Sequence, residues 1–204
     1  MKMIKDDLLK CIAETGYNVG FGAKKNLATY DLVEKLPGWI SFVSIAFGIY
    51  SLVFDAISTK FLSATFTLVG VIGLYVIMYD AKKNEYKTAG DELTKIYNQL
   101  RTLYYSVQGK SNSDDLTFLI EEYRQLENRY CSVGLGKQML FSDWCAHYKF
   151  FWQHQIEWVD EQKKFNFFRD KVPLSCYVFL IVVIVMAICF IYKANLSACF
   201  AVLF

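Results

Sequence analysis

The chain has 204 residues, a net charge of +2, and an apolar content of 54%. Soluble domains average about 45–50% apolar, and here the excess is gathered into blocks, which argues against an ordinary soluble domain. A charge so close to balance also lacks the strongly basic signature of a nucleic-acid-binding protein.

The first 36 residues are charged throughout, from Lys2 and Lys5 to Glu34 and Lys35, with no short apolar core of the kind a cleaved signal peptide needs. Residues 3–15 read as a short amphipathic helix with Leu8, Leu9 and Ile12 on one side. The glycine-rich run Gly16-Tyr17-Asn18-Val19-Gly20-Phe21-Gly22 follows. No strand precedes it, as a dinucleotide-binding loop requires, so it is read as a bend or a site of close packing at the membrane surface. A second amphipathic piece, with Leu27, Tyr30, Leu32, Val33 and Leu36, leads to Pro37-Gly38-Trp39. Proline suits a first helical turn and tryptophan the headgroup level, which marks a membrane boundary.

Residues 37–58 are long enough to cross about 30 Å of hydrocarbon at about 1.5 Å per residue. Down this span runs a polar stripe, Ser41, Ser44, Gly48, Ser51, Asp55 and Ser58, at alternating spacings of three and four, the repeat of one helical face. Such a stripe either packs closely on other helices or touches water. Asp55, near the far end, is either a hydrated helix-end residue or one carboxylate in a ring at the mouth of an assembled pore. Only Thr59 and Lys60 separate this span from the next, 61–79, so the two form an antiparallel hairpin. Ser63, Thr67, Gly70 and Gly73 give the second span a small face suited to packing against the first.

Lysine and arginine placement sets orientation. Six precede the first span and fourteen lie between the second and third, against Lys60 and Lys193 elsewhere. The N-terminus and the middle segment are therefore expected in the cytoplasm.

The segment 80–171 reads as helical. Tyr79, Tyr86, Leu93, Leu100 and Val107 recur every seven residues, with Tyr97 and Tyr104 between, a heptad pattern suited to a coiled coil continuing from the second span. A loop at 108–115 precedes another helix with Leu116, Leu119, Tyr123, Leu126 and Tyr130 on one side. A third helix is expected over 142–169, with Trp144, Tyr148, Phe151, Gln155, Trp158, Gln162 and Phe165 in a four-three repeat. Its aromatics serve either as core and interface or, with Trp152, Lys163 and Lys164, as a surface for a partner or ligand. Phe165–Lys171 also suits a lipid surface. The last span, 173–192, is almost wholly aliphatic and fits a lipid-facing position. Residues 197–204 either prolong its helix or lie at the outer interface.

No catalytic or metal-binding constellation emerges, and neither a catalytic role nor a cofactor is expected. His147 and His154 are seven residues apart but have no HExxH or CxxC companion. Asp114-Asp115 and Glu121-Glu122 belong to a loop and a solvated face. The six cysteines form no CxxC pair and read as reduced thiols.

The order of these parts resembles the SLATT family, two-transmembrane effectors that accompany nucleotide-second-messenger synthases and SLOG-type sensors. Carrying the likeness are the amphipathic helix with Tyr17-Asn18-Val19-Gly20-Phe21-Gly22-Ala23-Lys24-Lys25, then Leu36-Pro37-Gly38-Trp39 and the hairpin. It is closest over the first 80 residues, and the third span departs from the plain two-span pattern. The resemblance implies a bacterial antiphage effector of the inner membrane, triggered through a cyclic-nucleotide synthase or a retron-type reverse transcriptase and its RNA–DNA complex.

The expectation is thus an all-α membrane protein in four parts: amphipathic helices over 1–36, a transmembrane hairpin over 37–79, a helical cytoplasmic domain over 80–171, and a C-terminal transmembrane helix with its tail over 172–204. Its expected role is that of a homo-oligomer in the lipid bilayer that permeabilises the membrane. The alternative is a membrane-anchored scaffold that recruits a cytoplasmic partner.

Overall fold

Lys5–Val53 forms one helix of 49 residues, α1, which carries both the charged N-terminal segment and the first span. The computed structural model describes residues 4–53, 59–134 and 137–203, with side chains described up to Tyr192, that of Thr59 excepted. Asp55 and Ser58 lie outside the described residues.

Of the two readings of the glycine-rich run, a bend or close packing, the structure shows close packing within an unbroken helix. A glycine in a helix interior costs about 1 kcal/mol relative to alanine, but here helix–helix packing overrides that preference. Gly16 and Gly20 lie under aromatic rings of other helices, where a larger residue does not fit. Pro37 also stands inside α1 rather than at its start. The missing N–H removes one rung of the helix ladder, and it does so where the helix passes from its buried half to its exposed, apolar half.

The remaining helices are α2 (Thr59–Asp80), α3 (Lys83–Gln108), α4 (Thr117–Ser132), α5 (Ser142–Phe151), α6 (Glu157–Lys163), α7 (Phe167–Asp170) and α8 (Leu174–Leu203). Helices α1, α2 and α8 are each long and apolar enough to cross a membrane. The all-α fold with three such helices matches the sequence expectation. Two details differ, and a third decides between two stated alternatives. The second span does not run unbroken into the next helix, because a turn at Ala81 and Lys82 separates α2 from α3. The helix expected over 142–169 is three short ones. Finally, α8 continues past Tyr192, so the tail prolongs the span rather than leaving it.

The chain divides into two compact units, Met1–Lys164 and Phe165–Phe204. In the first, the N-terminal half of α1 is the central post. It packs against α2 to α6, most extensively against α3, to which it runs antiparallel. The heptad residues Tyr86, Leu93, Tyr97, Leu100, Tyr104 and Val107 are all buried inside this bundle. The seam expected to drive coiled-coil self-association is therefore spent within one chain. At the end remote from the hairpin, Lys5 donates from Nζ to the carbonyls of Gln108 (2.9 Å) and Lys110 (2.6 Å). A cation there satisfies the acceptors left free at the C-terminus of α3.

In the second unit, Asn166 caps α7 through its side-chain oxygen, which accepts from the Phe168 N–H at 3.2 Å. Tyr177 of α8 donates to the Phe168 carbonyl at 2.8 Å. From Val178 to Tyr192 the large apolar side chains of α8 are exposed within the chain, the condition of a helix solvated by lipid rather than by protein.

The candidate membrane-effector surface

The two spans of the hairpin meet chiefly at their ends. At one end the Phe47 and Phe61 rings lie 6.4 Å apart. At the other, Val33, Val76, Tyr79, Tyr86 and Met139 form a buried cluster. Between these contacts the faces expected to pack are only partly covered. Where a Cβ added to Gly48, Gly70 or Gly73 would point, no described atom lies within 4 Å. Ser41, Ser63, Thr67 and Gly70 are exposed, and Ser44, Gly48, Ser51 and Gly73 are half-buried.

Three of the hydroxyls on these faces are satisfied on their own helices. Ser41 donates to the Pro37 carbonyl (2.9 Å), Ser51 to that of Gly48 (2.7 Å) and Thr67 to that of Ser63 (2.8 Å). A hydroxyl bonded this way costs little in hydrocarbon and is still free to turn toward water or a neighbouring helix. Within one chain, then, the stripe is not consumed by the hairpin.

The expected aromatic surface does not form as a single patch. Trp158 is 1% exposed and belongs to the core, a correction to its reading as a surface residue. Its indole N–H donates to the Tyr97 hydroxyl at 3.0 Å, and that hydroxyl donates to the Gln155 carbonyl at 2.9 Å. The reason is the break at 152–156, which turns α6 inward so that the four-three repeat no longer maps to one face. Trp144 is half-buried against Phe141, while Tyr148 (58%) and Trp152 (62%) are exposed. Lys163 and Lys164 are exposed, with Lys163 Nζ 5.2 Å from the centre of the Tyr17 ring.

Around this core several titrating groups are displaced by burial. Desolvation pushes the Tyr97 and Tyr123 phenols up to about 12. His154 is pulled down to about 4, first by burial and then by the charges of Lys24 and Arg101. His147 is lowered too, by burial above all; its Nδ1 is buried without a hydrogen bond, and its ring packs edge-on to Phe21 and stacks on Phe151. The two histidines are therefore neutral packing groups. Among the described residues no three His, Cys, Asp or Glu side chains are placed to share a metal ion.

Sequence reasoning missed a polar lock between the 137–140 loop and helices α1 and α3. Gln138 donates to the Asn26 side chain at 3.0 Å and accepts from the Thr29 hydroxyl at 2.6 Å. The Tyr86 hydroxyl donates to the Lys137 carbonyl at 2.6 Å. Asn26 and Thr29, buried polar residues in an otherwise apolar stretch of α1, were the available signal.

A hairpin of apolar helices rising from a buried helical bundle defines an all-α domain with helices long and apolar enough to cross a membrane. The pattern of the family described as "SMODS and SLOG-associating 2TM effector domain 6" (SLATT_6) matches residues 3–180. The chain belongs to that family, a two-transmembrane effector family of conflict and defence systems. The match covers the whole bundle and ends within α8, well beyond the first 80 residues on which the sequence likeness was closest. No curated protein and no solved structure matches the chain.

Proposed function

We propose that this protein is the membrane effector of a bacterial antiphage system, a non-enzymatic one, that oligomerises and permeabilises the inner membrane when triggered. The observation that carries the reading is the partly open small and polar face of the hairpin, Ser41, Ser44, Gly48 and Ser51 on α1 and Ser63, Thr67, Gly70 and Gly73 on α2. One hairpin cannot enclose a channel. Several copies close one when the α1 stripe is turned to the lumen, with Asp55 and Ser58 continuing that stripe in the sequence toward its mouth.

The lysine and arginine distribution puts the bundle in the cytoplasm, where it receives a trigger: a nucleotide signal from a cyclic-nucleotide synthase, or contact with a reverse transcriptase and its RNA–DNA complex. A change in helix packing then exposes the stripe to water.

The test is co-expression with the trigger encoded beside it, followed by membrane potential and dye exclusion, with sizing of the detergent-solubilised protein in parallel. Depolarisation together with a triggered oligomer supports the reading. A strict monomer under all conditions, or an intact potential, overturns it. The exposed pair Tyr148 and Trp152 favours the second reading, a membrane-anchored scaffold. In that case Trp152→Ala abolishes capture of a partner while permeability never changes.

A further inference from the structure

The loop between α4 and α5 ends in two exposed apolar residues that are fastened to the hairpin rather than left on a free surface. Leu140 is 62% exposed and Phe141 54%. The Leu140 N–H donates to the hydroxyl of Tyr75 on α2 at 2.9 Å, and the Tyr79 hydroxyl donates to the Gln138 carbonyl at 3.3 Å. Met139, next in line, is buried with Val33, Val76, Tyr79 and Tyr86. The loop is thus anchored on both sides of its tip, while the tip itself points outward. Phe141 holds a left-handed backbone, φ 68°, which an aromatic residue seldom adopts. Its ring packs edge-on to Trp144, with centres 5.5 Å apart.

The depth of this tip follows from the hairpin. Val33 with Val76 and Phe47 with Phe61 give one antiparallel register, which puts Tyr75 level with Glu34 on α1. That is five residues, or about 7.5 Å, short of Trp39. The headgroup layer that accepts amphipathic aromatics is about 5–8 Å thick on each side of the hydrocarbon. One side of helix α5 reaches toward the same level, since Cys145 and Lys149 line one cleft with Leu32, Leu36 and Trp39 of α1. An apolar tip at that height suits headgroups and the first methylenes of a bilayer.

We propose that Leu140 and Phe141 form a membrane-inserting tip: the cytoplasmic bundle docks on the bilayer interface through this loop and so fixes the depth of the hairpin. The left-handed turn at Phe141 carries both side chains outward together, and the tyrosine bonds transmit their position to α2. This contact is independent of whether the hairpin opens a pore.

The experiment is spin-label accessibility in the full-length protein, reconstituted in nanodiscs of phosphatidylethanolamine and phosphatidylglycerol, with the natural cysteines replaced by serine or alanine. Labels are placed at Leu140→Cys, Phe141→Cys and, as an aqueous reference in the loop at the far end of the bundle, Ser113→Cys. The expected result is an oxygen-to-nickel-complex accessibility ratio several-fold higher at 140 and 141 than at 113. The left-handed backbone at 141 makes Leu140→Cys the decisive site if Phe141→Cys lowers the melting temperature. A ratio at 140 equal to that at 113 overturns the proposal. Low accessibility to both reagents also overturns it, and dipolar broadening between labels would then assign the tip to a second copy of the chain.

Discussion

The indole of Trp158 occupies the space where a side chain on Gly16 would begin: a Cβ at that position would overlap Cη2 of the ring. One turn further along α1, a Cβ on Gly20 would sit 2.7 Å from the Tyr97 ring and 2.8 Å from that of Phe150. Helix α1 therefore meets the rest of the bundle backbone against ring, and its glycines are there to admit aromatics. Overpacking a filled core costs about 1–3 kcal/mol, against about 1 kcal/mol regained in helix propensity when glycine becomes alanine. Gly16→Ala is expected to be destabilising on balance, read as a lower midpoint of thermal unfolding by circular dichroism in detergent. Trp158→Ala empties the same site and is expected to cost about 3–5 kcal/mol.

Tyr97 holds that tryptophan in place, accepting from its indole N–H and donating to the Gln155 carbonyl. Tyr97→Phe keeps the ring and deletes both bonds, leaving the buried indole donor unpaired at about 1–3 kcal/mol, while the carbonyl of the exposed Gln155 can turn to water. The near-ultraviolet circular dichroism of the tryptophans should weaken along with the unfolding midpoint. A variant as stable as the parent would show that the bond is dispensable for seating the ring.

The three spans were legible because uninterrupted apolar length is a signal that needs no tertiary knowledge. So was the buried face of α3, whose seven-residue repeat reports one helical stripe whatever covers it. What covers it was not legible: the same heptad serves a partner chain or a neighbouring helix, and here that neighbour is α1. The continuity of α1 was hidden by Gly16, Gly20, Gly22 and Pro37, residues that break helices by local preference and are outvoted by packing. Over 142–169 the error ran the other way. A four-three repeat counts residues, not turns, so it reads smoothly through the break after Phe151 and gives no warning that Trp158 points inward while Trp152 points out. On the hairpin, the stripe and the small face were legible as patterns, yet their failure to close on each other depends on where the Phe47–Phe61 and Val33–Val76 contacts hold the two helices, which no spacing encodes.

The histidines give the bundle an acid sensitivity of a definite sign. His154 has its pKa lowered to about 4 in the fold by burial and by Lys24 and Arg101, and Glu157 opposes this only in part. An unfolded histidine titrates near 6.5, so the unfolded chain takes up a proton that the folded chain refuses. The stabilisation is fully present above about 6.5 and is lost as pH falls from there toward about 4. His147, lowered by burial, acts in the same direction. Glu92, whose pKa is depressed by the Arg129 guanidinium, loses its contribution only below the ordinary carboxylate range. Between about pH 5 and 6.5 the histidines should therefore dominate. Urea midpoints across that interval are expected to fall with pH in the parent chain and to flatten in His154→Gln.

The polar stripe itself offers a test in the cell. Ser44 and Ser51 are half-buried on α1, and Ser51 bonds the Gly48 carbonyl. Replacing both with leucine leaves the hydrophobic length of the span intact, removes the polarity of that face and adds bulk to it, so assembly is measured alongside toxicity. If the stripe is wetted when the effector fires, the double variant should assemble normally and lose its toxicity with the trigger, as read by dye uptake. Toxicity at the parental level would mean that the stripe only packs.

Gly70 and Gly73 separate packing within a chain from packing between chains. No described atom lies within 4 Å of a Cβ added at either position, so alanine at both creates no clash inside one subunit. Each replacement also favours the helix by up to about 1 kcal/mol. The isolated chain in detergent should therefore unfold at the same temperature as the parent, or slightly above it. Small residues on a lipid-exposed helix let another backbone approach closely, and methyl groups at those positions force the helices apart. The expected outcome is a split: unchanged monomer stability, with a triggered oligomer that is smaller or dissociates at lower detergent concentration by mass photometry. Equal loss of both would place the glycines in the fold of the single hairpin, and loss of neither would leave this face to lipid.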